Sequence, residues 1–303
     1  IPHLELHECF RVLDAIAETG VLTVSLSGGE PLLIKEIRPI VTYAKEKGLK
    51  IIFNSNLTLM DESMAGFLKS QDVDLVITSL ESAQEKIHDR MRGDGAFAKT
   101  VRGIQNCVKS GIFTGINMAV TKQNCEDLRD IVHFAQELGV SFVKFEALIP
   151  RGRAVSNYES LAPSVMEYRR IAAEIDSICS AYYSEIPVIV SNVFERITEG
   201  ARNFCCPSGQ LFYTITHEGD VAICPSLTRV SIEPVNVLRD SLKKYLEAES
   251  FRDQGVYDPV CQTCSYFEVC KGGCFSRSFF KNGKVTSRDP MCELLQSECL
   301  IKP

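Results

Sequence analysis

From position 21 to position 145 the chain alternates short apolar, β-branched runs with stretches of helical period, joined by connections of a few residues. No other feature limits the possible folds so strongly. Strands that are separated by helices pair in parallel, because a parallel partner is reached only by a crossover that a helix supplies. Strand-like runs occupy residues 21–26, 49–53, 73–78, 112–120 and 140–145. Helical spacing predicts helices over 34–47, 61–70, 83–90, 97–109 and 124–138, with Gly48 stopping the first of these. A leading helix over 3–19 carries Leu6, Phe10, Leu13, Ile16 and Ala17 and ends at Gly20. The pattern reads as α/β, a partial (β/α)6 barrel of the TIM type with right-handed crossovers. A helix at the very start implies that the first strand precedes Ile1.

After Pro150 the character changes. Residues 151–154 read as a loop, 164–183 as a long helix and 188–190 as a short strand. From Cys205 onward glycine, proline and cysteine become frequent. Residues 212–216 and 221–223 flank His217-Glu-Gly-Asp220 as a hairpin turning at Gly219, and a helix over 238–248 leads into the last segment. Two domains are expected, 1–200 and 201–303, with the boundary near 195–204.

That last segment holds Cys261-Gln-Thr-Cys264 followed by Cys270-Lys-Gly-Gly-Cys274, a C-x2-C-x5-C-x3-C run, with Cys292 and Cys299 beyond it. Two residues between cysteines let one tight turn aim both sulfurs at the same ion or cluster, and Gly272-Gly273 gives the backbone room to return. A disulfide staple suits short secreted domains better than 303 residues with 13 cysteines and no export signal. A metal site in a reducing, cytoplasmic setting is the reading. The residues alone leave zinc and iron–sulfur both open. A net charge of −6 without a basic run argues against nucleic acid, and no apolar window reaches membrane-spanning length.

Ser27-Gly28-Gly29-Glu30-Pro31 follows the first strand run. In parallel β/α folds the loops after the strands build the site, so two glycines would admit a ligand close to the backbone and Glu30 would take its ammonium group. A tight turn with Pro31 starting the next helix explains the same residues.

Taken together, Gly28-Gly29-Glu30-Pro31, the partial barrel and the cysteine-rich tail resemble the radical S-adenosylmethionine (radical SAM) superfamily. The tail is similar to its SPASM branch, through Cys206-Pro-Ser-Gly209, Gly219-Asp220-Val-Ala-Ile-Cys224-Pro and the run ending in Cys292. The resemblance implies cofactor binding by Gly28, Gly29 and Glu30, by Asn56 of a strand-end Asn54-Ser-Asn56, and by Ser79 of Thr78-Ser-Leu-Glu81. Leu57 stands where the family has glycine, and Glu81 where it has aspartate. His88-Asp89 with Arg92-Gly93 is similar to the family's His-Asp-x-x-Arg-Gly, although a surface charge cluster at a helix end explains it equally. Arg151 and Arg153 would hold a cofactor or substrate carboxylate. The same resemblance assigns Cys261, Cys264, Cys270 and Cys292 to one auxiliary 4Fe-4S cluster and Cys206, Cys224 and Cys274 to a second. Cys205 or an open position would complete the second cluster. Cys9, Cys107, Cys125 and Cys179 sit at helical periodicity or a helix start and read as small buried hydrophobes. The family's Cys-x3-Cys-x2-Cys motif, which holds the cluster that binds S-adenosylmethionine, is absent from these residues and is expected upstream of Ile1.

The implied activity is generation of a 5′-deoxyadenosyl radical that abstracts hydrogen from a peptide or protein side chain, for maturation, crosslinking or oxidation. An electron donor such as flavodoxin or ferredoxin would reduce the clusters. Tetrapyrrole modification is the competing enzyme class. A degenerate, non-catalytic binding module and a zinc-ribbon tail are the alternatives outside enzymology.

Overall fold

The computed structural model describes residues 4–152, 154–182, 185–191, 194, 206–228, 230, 235–248, 257–265 and 267–292. They divide into two compact units, one of Leu4–Phe145 with Ile178–Ile189, the other of Glu146–Ser177 with the residues from Val190 onward. The domain boundary expected near 195–204 falls on residues outside the described ones.

The first unit starts with helix α1 (Leu6–Ala17), whose entry is closed reciprocally by Glu5 and Glu8. Strand and helix then alternate: β1 (Thr23–Leu26), α2 (Ile37–Glu46), β2 (Lys50–Asn54), α3 (Glu62–Ser70), β3 (Leu75–Ser79), α4 (Glu85–Arg92), α5 (Ala96–Lys109), β4 (Thr114–Val120), α6 (Leu128–Leu138) and β5 (Phe142–Ala147). The sheet runs in chain order and ends on β6 (Val188–Ser191), so the expected partial barrel is present with six strands. Pairing is parallel, with Val24 opposite Ile51, Phe53 opposite Val76 and Ile77 opposite Gly115. The sixth strand is the short run after the long helix, a segment whose sequence alone does not say which sheet it joins.

Burial explains the arrangement. Ile51, Phe53, Val76, Ile116, Met118, Val120 and Phe145 from the strands are fully buried, as are Val41, Ala44, Ala65, Leu68, Ile104, Ile131, Val132 and Ala135 from the helices. Each large side chain removed from water contributes about 1.5–3 kcal/mol, so covering both faces of the sheet is what favours the crossover topology. Sequence capping is local: Asp61 accepts the amide of Met64 at 2.7 Å, and Gly139 ends α6 in the left-handed region.

The second unit contains α7 (Ala154–Leu161), most of α8 (Val165–Tyr182) and the cysteine-bearing residues. Ala154, expected in a loop, already belongs to α7. The hairpin is present as β7 (Thr214–Ile215) against β8 (Val221–Ala222), antiparallel. Helices α9 (Leu242–Glu247), α10 (Pro259–Gln262), α11 (Phe267–Cys270) and α12 (Phe275–Asn282) follow. Their small core is Ile223, Leu227 and Phe275, with Tyr213, Tyr257 and Phe279 against it. No helix among the described residues is long and apolar enough to cross a membrane.

Candidate functional site

Because β1 to β4 run parallel in order, their following loops share one edge of the sheet. Gly28 has φ +143°, a conformation that a side chain would strain, and neither Gly28 nor Gly29 has an atom within 4 Å of where a Cβ would stand. The two glycines therefore form an open backbone shelf. Glu30 beside it is not free-standing. One carboxylate oxygen accepts the amide of Leu32 at 3.0 Å and the hydroxyl of Ser55 at 2.7 Å, and the other accepts the amide of Asn56 at 2.8 Å. Glu30 thus caps the 3-10 turn Pro31–Leu33 and ties the loop after β1 to the loop after β2. Three of about four acceptor sites are used, which leaves one for a ligand cation. The tight-turn reading holds: Pro31 opens the 3-10 turn that Glu30 caps.

Asn56 turns its own loop, its side-chain Oδ1 accepting both the amide and the hydroxyl of Thr58 at 2.9 and 2.7 Å. Leu57 keeps the left-handed backbone, φ +57°, that the glycine of the family pattern would adopt freely. Its strain, on the order of 1–2 kcal/mol, is offset because the side chain is fully buried. Helix α5 makes room for it at Gly103, where a Cβ would lie 2.3 Å from the Leu57 carbonyl oxygen and 2.7 Å from its Cβ. Ser79, half-buried, is the last residue of β3.

Of the charges that follow β3, Glu81 and His88 are interior, whereas Asp89 is half-buried and Arg92 is exposed. Glu81 is 1 % exposed; one oxygen receives the Arg92 guanidinium from both Nε and Nη2, and the other takes the amide of Ala119 at 3.0 Å. Its extra methylene, relative to aspartate, lets it span from α4 to β4. His88 is buried and accepts the Glu81 amide on Nδ1 at 3.1 Å, which fixes the proton on Nε2. Burial, reinforced by Arg92, pushes its pKa down to about 4. Asp89 accepts the amides of Gly95 and Phe97, each at 2.7 Å, and so starts α5. In the second unit, Arg151 is exposed; Arg153 lies outside the described residues.

Burial raises the Cys224 thiol, and the charges of Cys274 and Cys206 raise it further. Burial pushes Cys261 up to about 11, with Asp258, Cys270 and Cys264 adding to it. Cys261, Cys270 and Cys274 are buried, Cys264 is exposed, and Cys206, Cys224 and Cys292 are half-buried. The amide of Ser226 donates to the Cys224 sulfur at 3.4 Å, and the amide of Cys292 to the Asp289 carbonyl at 2.9 Å. Between Cys270 and Cys274 the chain turns through Gly272 and Gly273 at φ +76° and +81°. Among the described residues no three His, Cys, Asp or Glu side chains are close enough to hold a single metal ion. Cys205 and Cys299 lie outside the described residues. Of the four other cysteines only Cys107 is fully buried, its thiol pushed up to about 12; Cys9, Cys125 and Cys179 are half-buried, which corrects the expectation for them.

Sequence reasoning passed over Arg277 and Asp289. Their side chains are 1 % and 0 % exposed and form a two-pronged ion pair, Nε to Oδ1 at 3.0 Å and Nη2 to Oδ2 at 2.7 Å. The only signal was a cation three positions after Cys274 and a carboxylate three before Cys292, which means little without the packing.

An ordered parallel sheet with a glycine shelf at its loop edge precedes a unit that carries the tail cysteines. The family model of the Radical SAM superfamily matches residues 1–135 of the chain. S-adenosylmethionine and 4Fe-4S clusters are that family's cofactors. The chain is 27 % identical to the AdoMet-dependent heme synthase of Oleidesulfovibrio alaskensis, over 95 % of this chain and 79 % of that protein. It is 25 % identical to mycofactocin maturase MftC of Mycolicibacterium smegmatis, over 95 % of this chain and 75 % of that one. In fold it is similar to anSMEcpe with bound AdoMet and Kp18Cys peptide, at TM-score 0.76 and 19 % identity, over 97 % and 87 % of the two chains. Streptococcus suis SuiB bound to S-adenosylmethionine is similar at TM-score 0.74 and 17 % identity, over 95 % and 70 %.

Proposed function

We propose that this is a radical SAM enzyme with a SPASM tail, acting on a peptide side chain. The observation that carries the reading is the open Gly28-Gly29 shelf beside Glu30, which ties the loops after β1 and β2, in the segment that the Radical SAM model matches. The seven cysteines suit two auxiliary 4Fe-4S clusters, one held by Cys261, Cys264, Cys270 and Cys292 and the other by Cys206, Cys224 and Cys274. Bound S-adenosylmethionine, with a reduced cluster, supplies hydrogen abstraction; the chain orients it and excludes water. On this reading the Gly28-Gly29 shelf carries the methionine end, Glu30 offers its remaining acceptor site to the ammonium group, and Asn56 and Ser79 line the loops beside it. Arg151 and Arg153 hold a carboxylate of cofactor or substrate. The domain division is 1–200 for the barrel and 201–303 for the tail.

A peptide substrate is supported by the mycofactocin maturase relative and by the peptide bound in the anSMEcpe structure. An external one-electron donor of the flavodoxin or ferredoxin kind serves the clusters. The heme-synthase relative favours a second reading, tetrapyrrole side-chain chemistry on the same scaffold.

Iron and sulfide analysis after anaerobic reconstitution tests the cluster assignment. The tail should bind about eight irons and eight sulfides from two clusters, and Cys264→Ala about four of each. Stoichiometric zinc in place of iron would defeat it. For the substrate, titration with iron coproporphyrin should leave the Soret band unshifted; saturable binding with a shift would move the case to tetrapyrrole chemistry.

A further inference from the structure

The buried ion pair in the tail is incomplete on one side. Asp289 is saturated: Oδ1 accepts from Arg277 Nε and from the amide of Met291, each at 3.0 Å, and Oδ2 from Arg277 Nη2 and the amide of Cys274, at 2.7 and 2.9 Å. The third guanidinium nitrogen, Nη1, is buried without an acceptor. A charged donor left unpaired in a protein interior is costly, so a partner for it is expected within reach. Besides Asp289, the Cys274 thiol and the hydroxyls of Tyr158 and Tyr168 couple to the charge of Arg277, and the Tyr168 hydroxyl, like that of Tyr158, is raised by burial and neutral. On the cluster reading above, Cys274 ligates together with Cys206 and Cys224. Tyr158 is half-buried and neutral, its hydroxyl raised by burial, whereas a ligating thiolate and the sulfides beside it are anionic acceptors.

We propose that Arg277 donates through Nη1 to a sulfur of the cluster held by Cys206, Cys224 and Cys274, and thereby sets that cluster's reduction potential. The inference rests on the auxiliary-cluster reading above. A hydrogen bond to a cluster sulfur draws electron density from iron and stabilises the reduced, more negative state, so the potential rises. The low dielectric around a fully buried group strengthens the effect. The cluster gains one electron from the external donor; Arg277 keeps its proton throughout, because Asp289 fixes its charge. Asp289 is the positioning residue: it occupies Nε and Nη2 and leaves only Nη1 to turn elsewhere. The bland alternative is a stitch that holds residues 274–278 to 289–291. Such a stitch affects stability and leaves the potential of an intact cluster unchanged.

The test is an EPR-monitored redox titration of the reconstituted protein, preceded by iron and sulfide analysis. In Arg277→Met one cluster should become at least about tenfold harder to reduce at fixed potential, which is about 59 mV for a one-electron couple. Its companion cluster should not move. Arg277→Lys keeps the cation without the planar fork and should shift the same cluster in the same direction by less. Asp289→Asn leaves Arg277 without its counter-charge and should shift that cluster upward. If Arg277→Met fails to retain iron, the other two variants decide. Unmoved potentials in iron-replete Arg277→Lys and Asp289→Asn, or equal shifts in both clusters, overturn the proposal. Wild-type protein that binds no iron–sulfur is a different result, read in the preceding analysis, and refutes the cluster reading and this inference with it.

Discussion

Glu30→Gln separates the two duties of the residue at the sheet edge. A glutamine can keep its carbonyl oxygen toward the Leu32 amide and the Ser55 hydroxyl. Its amino group then faces the Asn56 amide, donor against donor, where the carboxylate accepted at 2.8 Å. The loss is one charge-assisted bond of about 1.5–3 kcal/mol, softened because Asn56 is half-buried and water can approach it. We take about 2 kcal/mol for the local opening of the 55–58 loop, which corresponds to roughly 30-fold faster exchange of the Asn56 amide. Hydrogen exchange read on peptides covering 54–58 measures this directly. S-adenosylmethionine affinity, measured on the same protein by calorimetry, should fall about tenfold or more, since the remaining acceptor site loses its charge. Unchanged exchange at Asn56 would refute the brace, and unchanged affinity would refute the ammonium contact, independently of each other.

Gly103→Ala drives a Cβ into the Leu57 backbone, which cannot swing away as a side chain would. A loss of about 3 kcal/mol is expected from chemical denaturation, and less than about 1 would show that α5 shifts freely. His88 makes stability fall on acidification. Its folded pKa of about 4 lies below the unfolded value near 6.5, so the unfolded chain binds the proton first. Its contribution is complete above about pH 6.5 and is lost progressively as the pH falls toward 4; Arg92 enforces the shift and Asp89 partly opposes it. Denaturation midpoints at pH 7 and pH 5 should differ less in His88→Gln than in the wild type, and equal differences would contradict this account.

The alternation of strand and helix, the cysteine spacing and the Gly28-Gly29-Glu30 turn were legible because each is a local pattern with a period or a chelate distance. Residues 21–145 therefore predicted the order of β1 to β5 and most helices to within a few positions. Other features depend on which segments meet. That β6 completes the sheet follows from its place beside β5, and that His88 and Glu81 are interior and Leu57 holds a glycine conformation follow from packing against α5, β4 and Gly103. Glu30 looked like a free carboxylate because the partners at Ser55 and Asn56 lie a whole crossover away in sequence. Arg277 and Asp289 carry no local pattern in the sequence that marks them. Only the fold buries both, saturates one and leaves the other a single unpaired donor. Sequence alone thus determined the elements, their order and the ligand types, since these depend on neighbours along the chain. Tertiary structure decided which charges lose their water and which partners replace it, since that depends on neighbours in space.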